Sequence, residues 1–336
     1  MATLSPTLTI GIPTYNRCET VTRLVAELLR SGLPPVVDVL VLDNASRDGT
    51  FDVLRERCGD AQVRVLRNDQ NIGFAGSFVR LFKEASGDYL LITSDEDLVL
   101  VDALPALLEL CAATSPGLIS PQVFMERGAG PELYRGRRTT GRIRPEAFLD
   151  CGGYVSGMTF QVAGSAELVQ MLETARTSND AAHLYPHDLL AAGLIARGNC
   201  YWLDQPLTAA TDPRIQLPTR ARDLRGVPYG HLSSRWAQFL GRDAFLQELS
   251  RQTSSQEERI VLGVMRDSLA RGLYQVLRSA VEHERADIVG QLDAGVRRHL
   301  LHSNRLLRRA AFVAHDPREA AVQWRRRVAT RLLSRH

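Results

Sequence analysis

The first 125 residues alternate short runs of β-branched and aliphatic residues with amphipathic helical patterns, and that alternation points to βαβ units around a mostly parallel sheet. Leu8 to Pro13, Val37 to Leu42, Val63 to Arg67, Asp88 to Thr93 and Leu118 to Val123 are each short and apolar enough to be buried strands. Between them Val21, Leu24, Val25, Leu28 and Leu29 recur at helical spacing, as do Leu104, Leu107, Leu108 and Cys111. That spacing predicts helices that pack on the sheet through one apolar stripe.

Past this region the pattern changes. Met125 to Pro145 is rich in Gly and Arg without periodicity and reads as a loop or irregular insertion. Gly153 to Val162 reads as extended, and Ala166 to Ala175 and His187 to Ala196 as helices. Gly198 ends the second helix before a strand at Cys200 to Leu203. Leu240 to Leu292 carries helical periodicity with Gln and Glu on the outer face, which predicts two or three appended helices. The expected organisation has three parts: 1–125, 126–228 and a helical extension, 229–336.

A chain of 336 residues with 44% hydrophobic composition has enough apolar side chains for one large core or two modest ones. No apolar run approaches the roughly 18 to 20 residues that span a bilayer, and Met1 to Pro6 lacks the features of a secretory signal. The expectation is a cytoplasmic protein. A formal net charge of +3 is too small to argue for nucleic acid as a partner. Cys18, Cys58, Cys111, Cys151 and Cys200 are odd in number and widely spaced, which fits neither a disulfide framework nor a zinc site. The end of the chain is different. From Arg297 to His336 eleven arginines face two carboxylates, Asp316 and Glu319, interleaved with apolar pairs such as Leu306-Leu307. That stretch suits either peripheral contact with an anionic membrane surface or a solvated helical face.

Ligands of open α/β sheets bind beyond the carboxyl ends of the strands, so polar residues at those ends are the first candidates. The first strand ends in Gly11-Ile12-Pro13-Thr14-Tyr15-Asn16-Arg17, the second in Asp43-Asn44-Ala45-Ser46-Arg47-Asp48-Gly49-Thr50, the third in Asn68 to Gly73, and the fourth in Ser94-Asp95-Glu96-Asp97. Crowding three carboxylates into one turn is costly unless a cation neutralises them. Oxygen ligands at this density favour Mg²⁺ or Mn²⁺, completed by a diphosphate. The other reading of the triplet is an acidic loop capping the helix that follows.

The four segments, in this order, closely resemble family 2 glycosyltransferases of the GT-A fold, strongly over Leu8 to Ala113 and weakly to about Pro213. The resemblance implies a nucleoside diphosphate sugar as donor, bound by the 1–125 half, with the acceptor on the 126–228 half. Pro13, Thr14, Tyr15 and Arg17 would lie at the nucleotide, with Tyr15 against the base, and Asp43 beside Asn44 would accept a hydrogen bond from a base N–H. Asn71 and Gly73 would let the backbone pass close to the ribose or diphosphate. Ser94, Asp95 and Glu96 would line the donor. Asp95-Glu96-Asp97 fits the family's Asp-X-Asp motif, with Asp97 as direct ligand of Mg²⁺ or Mn²⁺ and Asp95 as its companion. Asp48 and Gly49 are expected to start a helix instead.

An inverting transfer also needs a base for the acceptor hydroxyl. The family supplies an acidic residue from a Glu-Asp pair opening a helix, after a small-residue segment that borders the acceptor. Here Tyr154 to Phe160 stands as that segment, with Ser156 and Gly157 as acceptor-binding candidates. His187-Asp188 replaces the Glu-Asp pair: Asp188 is the expected base, and His187 orients it or takes its place. Asp212 stands about where the family often carries a late metal-binding histidine. The expected function is inverting transfer to an acceptor hydroxyl in surface polysaccharide or glycolipid assembly, with a polyprenyl-linked or a soluble acceptor. A sugar nucleotidyltransferase or a plain dinucleotide-binding enzyme would need a glycine-rich loop after the first strand, and Pro13-Thr14-Tyr15-Asn16-Arg17 is not one. A non-catalytic nucleotide-sugar-binding module stays open, although retention of all three carboxylates argues against it.

Overall fold

The computed structural model describes residues 6–57, 62–127, 130–133, 139–152, 154–210, 221–229 and 232–282. Its chain divides into two compact units, residues 1–220 and 221–336.

Among the described residues the first unit is built on a ten-stranded sheet flanked by helices. Strands β1 (Leu8–Thr14), β2 (Val37–Asp43), β3 (Val63–Arg67) and β4 (Tyr89–Ile92) form its parallel half, in the order β3-β2-β1-β4. They are joined by α1 (Cys18–Arg30), α2 (Thr50–Arg57) and α3 (Gly73–Glu84). Val21, Leu24, Val25 and Leu28 of α1 are buried against β1 and β2 residues such as Leu8, Ile10, Val39 and Val41, as the helical spacing predicts. The chain lays β2 and β3 on one side of β1 and then returns to place β4 on the other. The carboxyl ends of β1 and β4 therefore diverge at a topological switch point, where an open sheet leaves a crevice.

The sheet continues through β5 (Leu98–Val99), β6 (Leu118–Arg127), β7 (Gly130–Leu133), β8 (Gly141–Arg142), β9 (Thr159–Gln161) and β10 (Cys200–Ala210). Helices α4 (Leu104–Thr114), α5 (Phe148–Cys151), α6 (Val162–Ala175), α7 (Asp180–Leu184) and α8 (Pro186–Arg197) complete this unit among the described residues. The three-residue β9 runs antiparallel to both its neighbours, β4 and β6, and so joins the parallel half to the β6–β10 pair.

Three expectations change. The segment from Met125 to Pro145 is not simply a loop: β6 runs on to Arg127 and turns back into β7, and β8 pairs with β10. Backbone pairing at a sheet margin needs no apolar alternation, so the pattern left no trace of it. Within Gly153 to Val162 only Thr159–Gln161 is a strand, because Gly157 takes a left-handed φ of +88° and Val162 already opens α6. The strand expected at Cys200 to Leu203 extends to Ala210 past register shifts at Pro206, a residue that cannot donate to a ladder.

The second unit contains α9 (Leu232–Gln252) and α10 (Gln256–Glu282), a helical hairpin in which Trp236, Phe245, Leu246, Leu262 and Met265 are buried. Arg266 on α10 reaches Asp243 on α9 at 2.7 Å. No helix among the described residues is long and apolar enough to cross a membrane. Cys58, Asp212 and the basic stretch from Arg297 to His336 lie outside the described residues.

Candidate active site

Two turns of the parallel half carry non-glycine residues in the left-handed region, Asn16 (φ +53°) after β1 and Ala45 (φ +62°) after β2. Such backbone persists only where neighbours over-determine it, and here they do. Ser46 Oγ accepts from Asn16 N–H at 2.8 Å, and Asn16 Oδ1 accepts from Arg47 N–H at 2.8 Å, so the two turns are stitched together. Asp43 is fully buried at the end of β2. Its carboxylate accepts from Ser46 N–H at 3.2 Å and pairs with Arg67 Nε at 3.3 Å, while an Arg67 terminal nitrogen donates to Ser46 C=O at 2.7 Å.

Asn44 ties this wall to the next strand end. Its amide N donates to Asn71 Oδ1 at 2.8 Å, and its Oδ1 accepts from Asn68 Nδ2 at 2.8 Å and Ile72 N–H at 3.0 Å. Asn71 Oδ1 also accepts from Gly73 N–H at 2.9 Å, which closes a turn into α3 where Gly73 adopts φ +72°. Tyr15 and Phe74 stand exposed, although both are large aromatics. Asp48 accepts from Thr50 N–H and Cys18 N–H, both at 3.1 Å, and so tethers the starts of α2 and α1 as a turn residue. Burial acts to raise its carboxyl, and the hydrogen bonds from Thr50 and Cys18 outweigh it and hold the group below the usual carboxylate range.

The acidic triplet follows β4. Asp95 is buried: its Oδ2 accepts from Thr14 Oγ1 at 2.7 Å and its Oδ1 from Arg17 Nη1 at 3.1 Å. Arg17 also pairs with Glu96. Burial pushes the Asp95 carboxyl above its ordinary value, opposed by the Arg17 charge and the Thr14 hydroxyl. Asp97 is buried too, and its Oδ2 accepts from Tyr154 Oη at 2.7 Å and Ser156 Oγ at 2.5 Å. Ser156 Oγ in turn accepts from Ser94 N–H at 2.9 Å. Gly157 lies in the same turn, and a Cβ there would come within 2.8 Å of Pro121 Cγ.

On the far side, His187 is buried in an edge-on aromatic setting, 5.9 Å from the Tyr185 ring and 6.2 Å from that of Phe74. Its Nε2 lies 3.2 Å from Gly152 C=O, and because a carbonyl only accepts, Nε2 carries the proton in that contact. Asp188 Oδ1 is 3.4 Å from the same nitrogen. Asp188 is only partly buried, and a Cβ on Gly152 would overlap its carboxyl.

The sequence names Asn68 at the third strand end and Tyr154 in the acceptor-bordering segment without a role for either, and it does not point to Arg67 or Gly152. Arg67 ends β3, so the strand-end rule was able to find it. Tyr154 and Gly152 act across 57 and 36 positions, with no local signal. For a divalent cation the oxygen-only donors Asp95 and Asp97 are the right chemical type. Among the described residues no three His, Cys, Asp or Glu side chains are grouped to hold a metal by themselves. The donor type suits a divalent cation, and the described residues do not form a closed protein cage for one.

Residues 9–163 match the family profile described as Glycosyl transferase family 2. A dolichol-phosphate mannosyltransferase of Pyrococcus furiosus is 28% identical over 102 residues, 30% of this chain and 29% of that protein, so the chain spans less than a third of this curated relative's length. The crystal structure of S. aureus TarS residues 1–349 with UDP superposes with a TM-score of 0.61 at 13% identity, covering 95% of this chain and 91% of that one. The same protein with UDP-GlcNAc gives 0.60 at 13% identity, over 95% and 92%. The likeness to TarS shows a shared fold, and the match to the family 2 glycosyltransferase profile, over residues 9–163, covers the four strand-end motifs.

Proposed function

We propose that this domain catalyses inverting transfer of a sugar from a nucleoside diphosphate sugar to an acceptor hydroxyl, in surface polysaccharide or glycolipid assembly. The observation that carries the reading is the acidic triplet at the β1/β4 switch point, with Asp95 and Asp97 buried, cross-tied to the β1 turn by Thr14 and Arg17. The TarS structures hold UDP or UDP-GlcNAc, which supports a nucleotide-sugar donor on the shared fold.

In this reading the exposed ring of Tyr15 stacks on the base, and Asp43, held by Arg67 and the Ser46 amide, accepts a base N–H. Asn44 and Asn71 shape the backbone path into Gly73, and Pro13, Thr14 and Ser94 line the donor. Asp97 is the direct ligand of Mg²⁺ or Mn²⁺, and Asp95 lies beside it. When bound, the cation withdraws charge from the departing diphosphate. Arg17 balances Asp95 and Glu96 in the free protein and is placed to meet phosphate oxygens when the donor arrives. Asp188 takes the acceptor proton, and buried His187 positions it with Nε2 directed at Gly152 C=O. Ser156 and Gly157 shape the acceptor border. A polyprenyl-linked acceptor fits the basic, apolar stretch from Arg297 onward, which would bring the enzyme to an anionic membrane face.

The test is a panel of nucleotide sugars measured by thermal shift with and without Mn²⁺, since a ligand that binds only the folded state raises its stability. One donor class is expected to stabilise the protein with Mn²⁺ and lose that effect in Asp97→Ala. Undiminished Mn²⁺-dependent stabilisation and turnover in Asp97→Ala would overturn the metal assignment. Truncation at about Arg297 is expected to abolish sedimentation with anionic vesicles. Retention of sedimentation argues for a soluble acceptor or a different anchor.

A further inference from the structure

Tyr154 is joined to the acidic triplet by a geometry that neither catalysis nor nucleotide binding requires of it. Its ring packs on the small apolar cluster of Val123 on β6 and Ala210 on β10, while its hydroxyl donates to Asp97 Oδ2 at 2.7 Å. A tyrosine with an apolar body anchored on one side and its polar tip on a buried carboxylate is a fixed donor. Ser156, two residues on, donates to the same oxygen at 2.5 Å. The loop bearing both is itself bound to the strand that carries the triplet: Ile92 C=O accepts from Gly157 N–H at 2.8 Å, and Ile92 N–H donates to Met158 C=O at 3.0 Å. Ser94 N–H donates to Ser156 Oγ, which adds a third tie. Asp97 is therefore oriented from outside its own turn, by the loop expected to border the acceptor.

We propose that Tyr154 is a positioning residue for the divalent cation: with Ser156 it fixes the plane of the Asp97 carboxylate and so couples the acceptor-side loop to cation and donor binding. This rests on the reading of Asp97 as the cation ligand. Hydrogen-bond donors behind a ligating carboxylate hold its orientation, and their loss weakens metal affinity by about 10- to 100-fold. A tyrosine that only packs would keep that affinity after losing its hydroxyl. A deformed acceptor loop would also alter the response to cation concentration, because loop and ligand are one hydrogen-bonded unit.

The experiment measures Mn²⁺ binding by electron paramagnetic resonance of free Mn²⁺, with UDP and separately with GDP, for the parent chain, Tyr154→Phe, Ser156→Ala and Asp97→Ala. Melting temperature is recorded alongside. The expected result is at least tenfold weaker Mn²⁺ binding in Tyr154→Phe at a nearly unchanged melting temperature, with a loss of the same sign in Ser156→Ala. The Mn²⁺ concentration for half-maximal turnover is expected to rise in parallel, more than kcat falls. If Tyr154→Phe does not fold, Ser156→Ala reads the same bridge. Affinity within twofold of the parent in the folded variants, with Asp97→Ala deficient, overturns the positioning role and leaves Asp97 as ligand. Parental Mn²⁺ binding in Asp97→Ala overturns the Asp97 reading and the positioning role with it.

Discussion

Arg17 Nη1 lies 3.1 Å from Asp95 Oδ1 and also pairs with Glu96, so one guanidinium on the turn after β1 bridges two carboxylates on the turn after β4. The repulsion that the triplet implies is thus relieved in part by the protein itself, through one positive charge set among three carboxylates.

Replacing Arg17 by Met is expected to leave Asp95 buried without its counter-charge. Breaking a fully buried pair costs about 3–5 kcal/mol, and the Arg17 side chain is 24% exposed. A loss of about 2–3 kcal/mol at pH 7 is expected on that basis. Burial already raises the Asp95 carboxyl. A raised carboxyl adds stability that is full below its unfolded value and is lost as pH rises through the folded one. The deficit of the variant should therefore shrink as pH falls through the raised folded value, and added Mn²⁺ should restore part of it. Urea unfolding at several pH values checks both; a pH-independent deficit would count against the account.

Asp188→Asn removes the proposed base without changing its shape, and kcat is expected to fall by about 10²–10⁴-fold. Gly152→Ala reaches the same group indirectly, because its new methyl cannot coexist with the Asp188 carboxyl as placed. Its kcat should drop as well, with donor affinity preserved in both variants. Steady-state kinetics with calorimetric donor binding decides, and a kcat within a few-fold of the parent in Asp188→Asn would move the role of base to His187.

Arg67→Leu is expected to release the Asp43 carboxylate and the Ser46 carbonyl from the side chain that bridges them. The loss should fall on nucleotide affinity, at about 1 kcal/mol or roughly fivefold. It should differ between UDP and GDP, since Asp43 is assigned to the base edge. Equal binding of both nucleotides by parent and variant would remove Arg67 from the site.

Asp48→Ala should cost about 1 kcal/mol through loss of the Thr50 and Cys18 hydrogen bonds. Asp48 is held below the usual carboxylate range. Its contribution is thus present above the unfolded carboxylate value and lost as pH falls through the lower folded one. Melting curves of parent and variant are expected to differ at pH 7 and to converge as pH falls through the lowered folded value.

Much of the parallel half was legible in the sequence, because each of its elements is announced by neighbours a few residues apart. The stripe Val21, Leu24, Val25 and Leu28 names the buried face of α1, and Val63–Arg67 is a strand over its whole expected length. The strand-end rule then brought Thr14, Asp43, Asn44, Asn71 and Asp95 to one edge of the sheet. What escaped depends on partners distant in sequence. The pairing of β6 with β7 involves Met125 and Glu132, which carry no alternation, and the tie of Tyr154 to Asp97 spans 57 positions. Arg17 was read as a nucleotide contact, and its pairing with the triplet required the turns after β1 and β4 to be seen side by side.

The three residues of β9 impose an order on biosynthesis. Until Thr159–Gln161 has left the ribosome, β4 has β1 on one side and a bare edge on the other, and that edge is Tyr89-Leu90-Leu91-Ile92, apolar throughout. An unpaired apolar strand of this kind recruits other chains. Fragments that stop short of residue 161 should accumulate as aggregates through this edge, and extending them through β9 should remove that route of association.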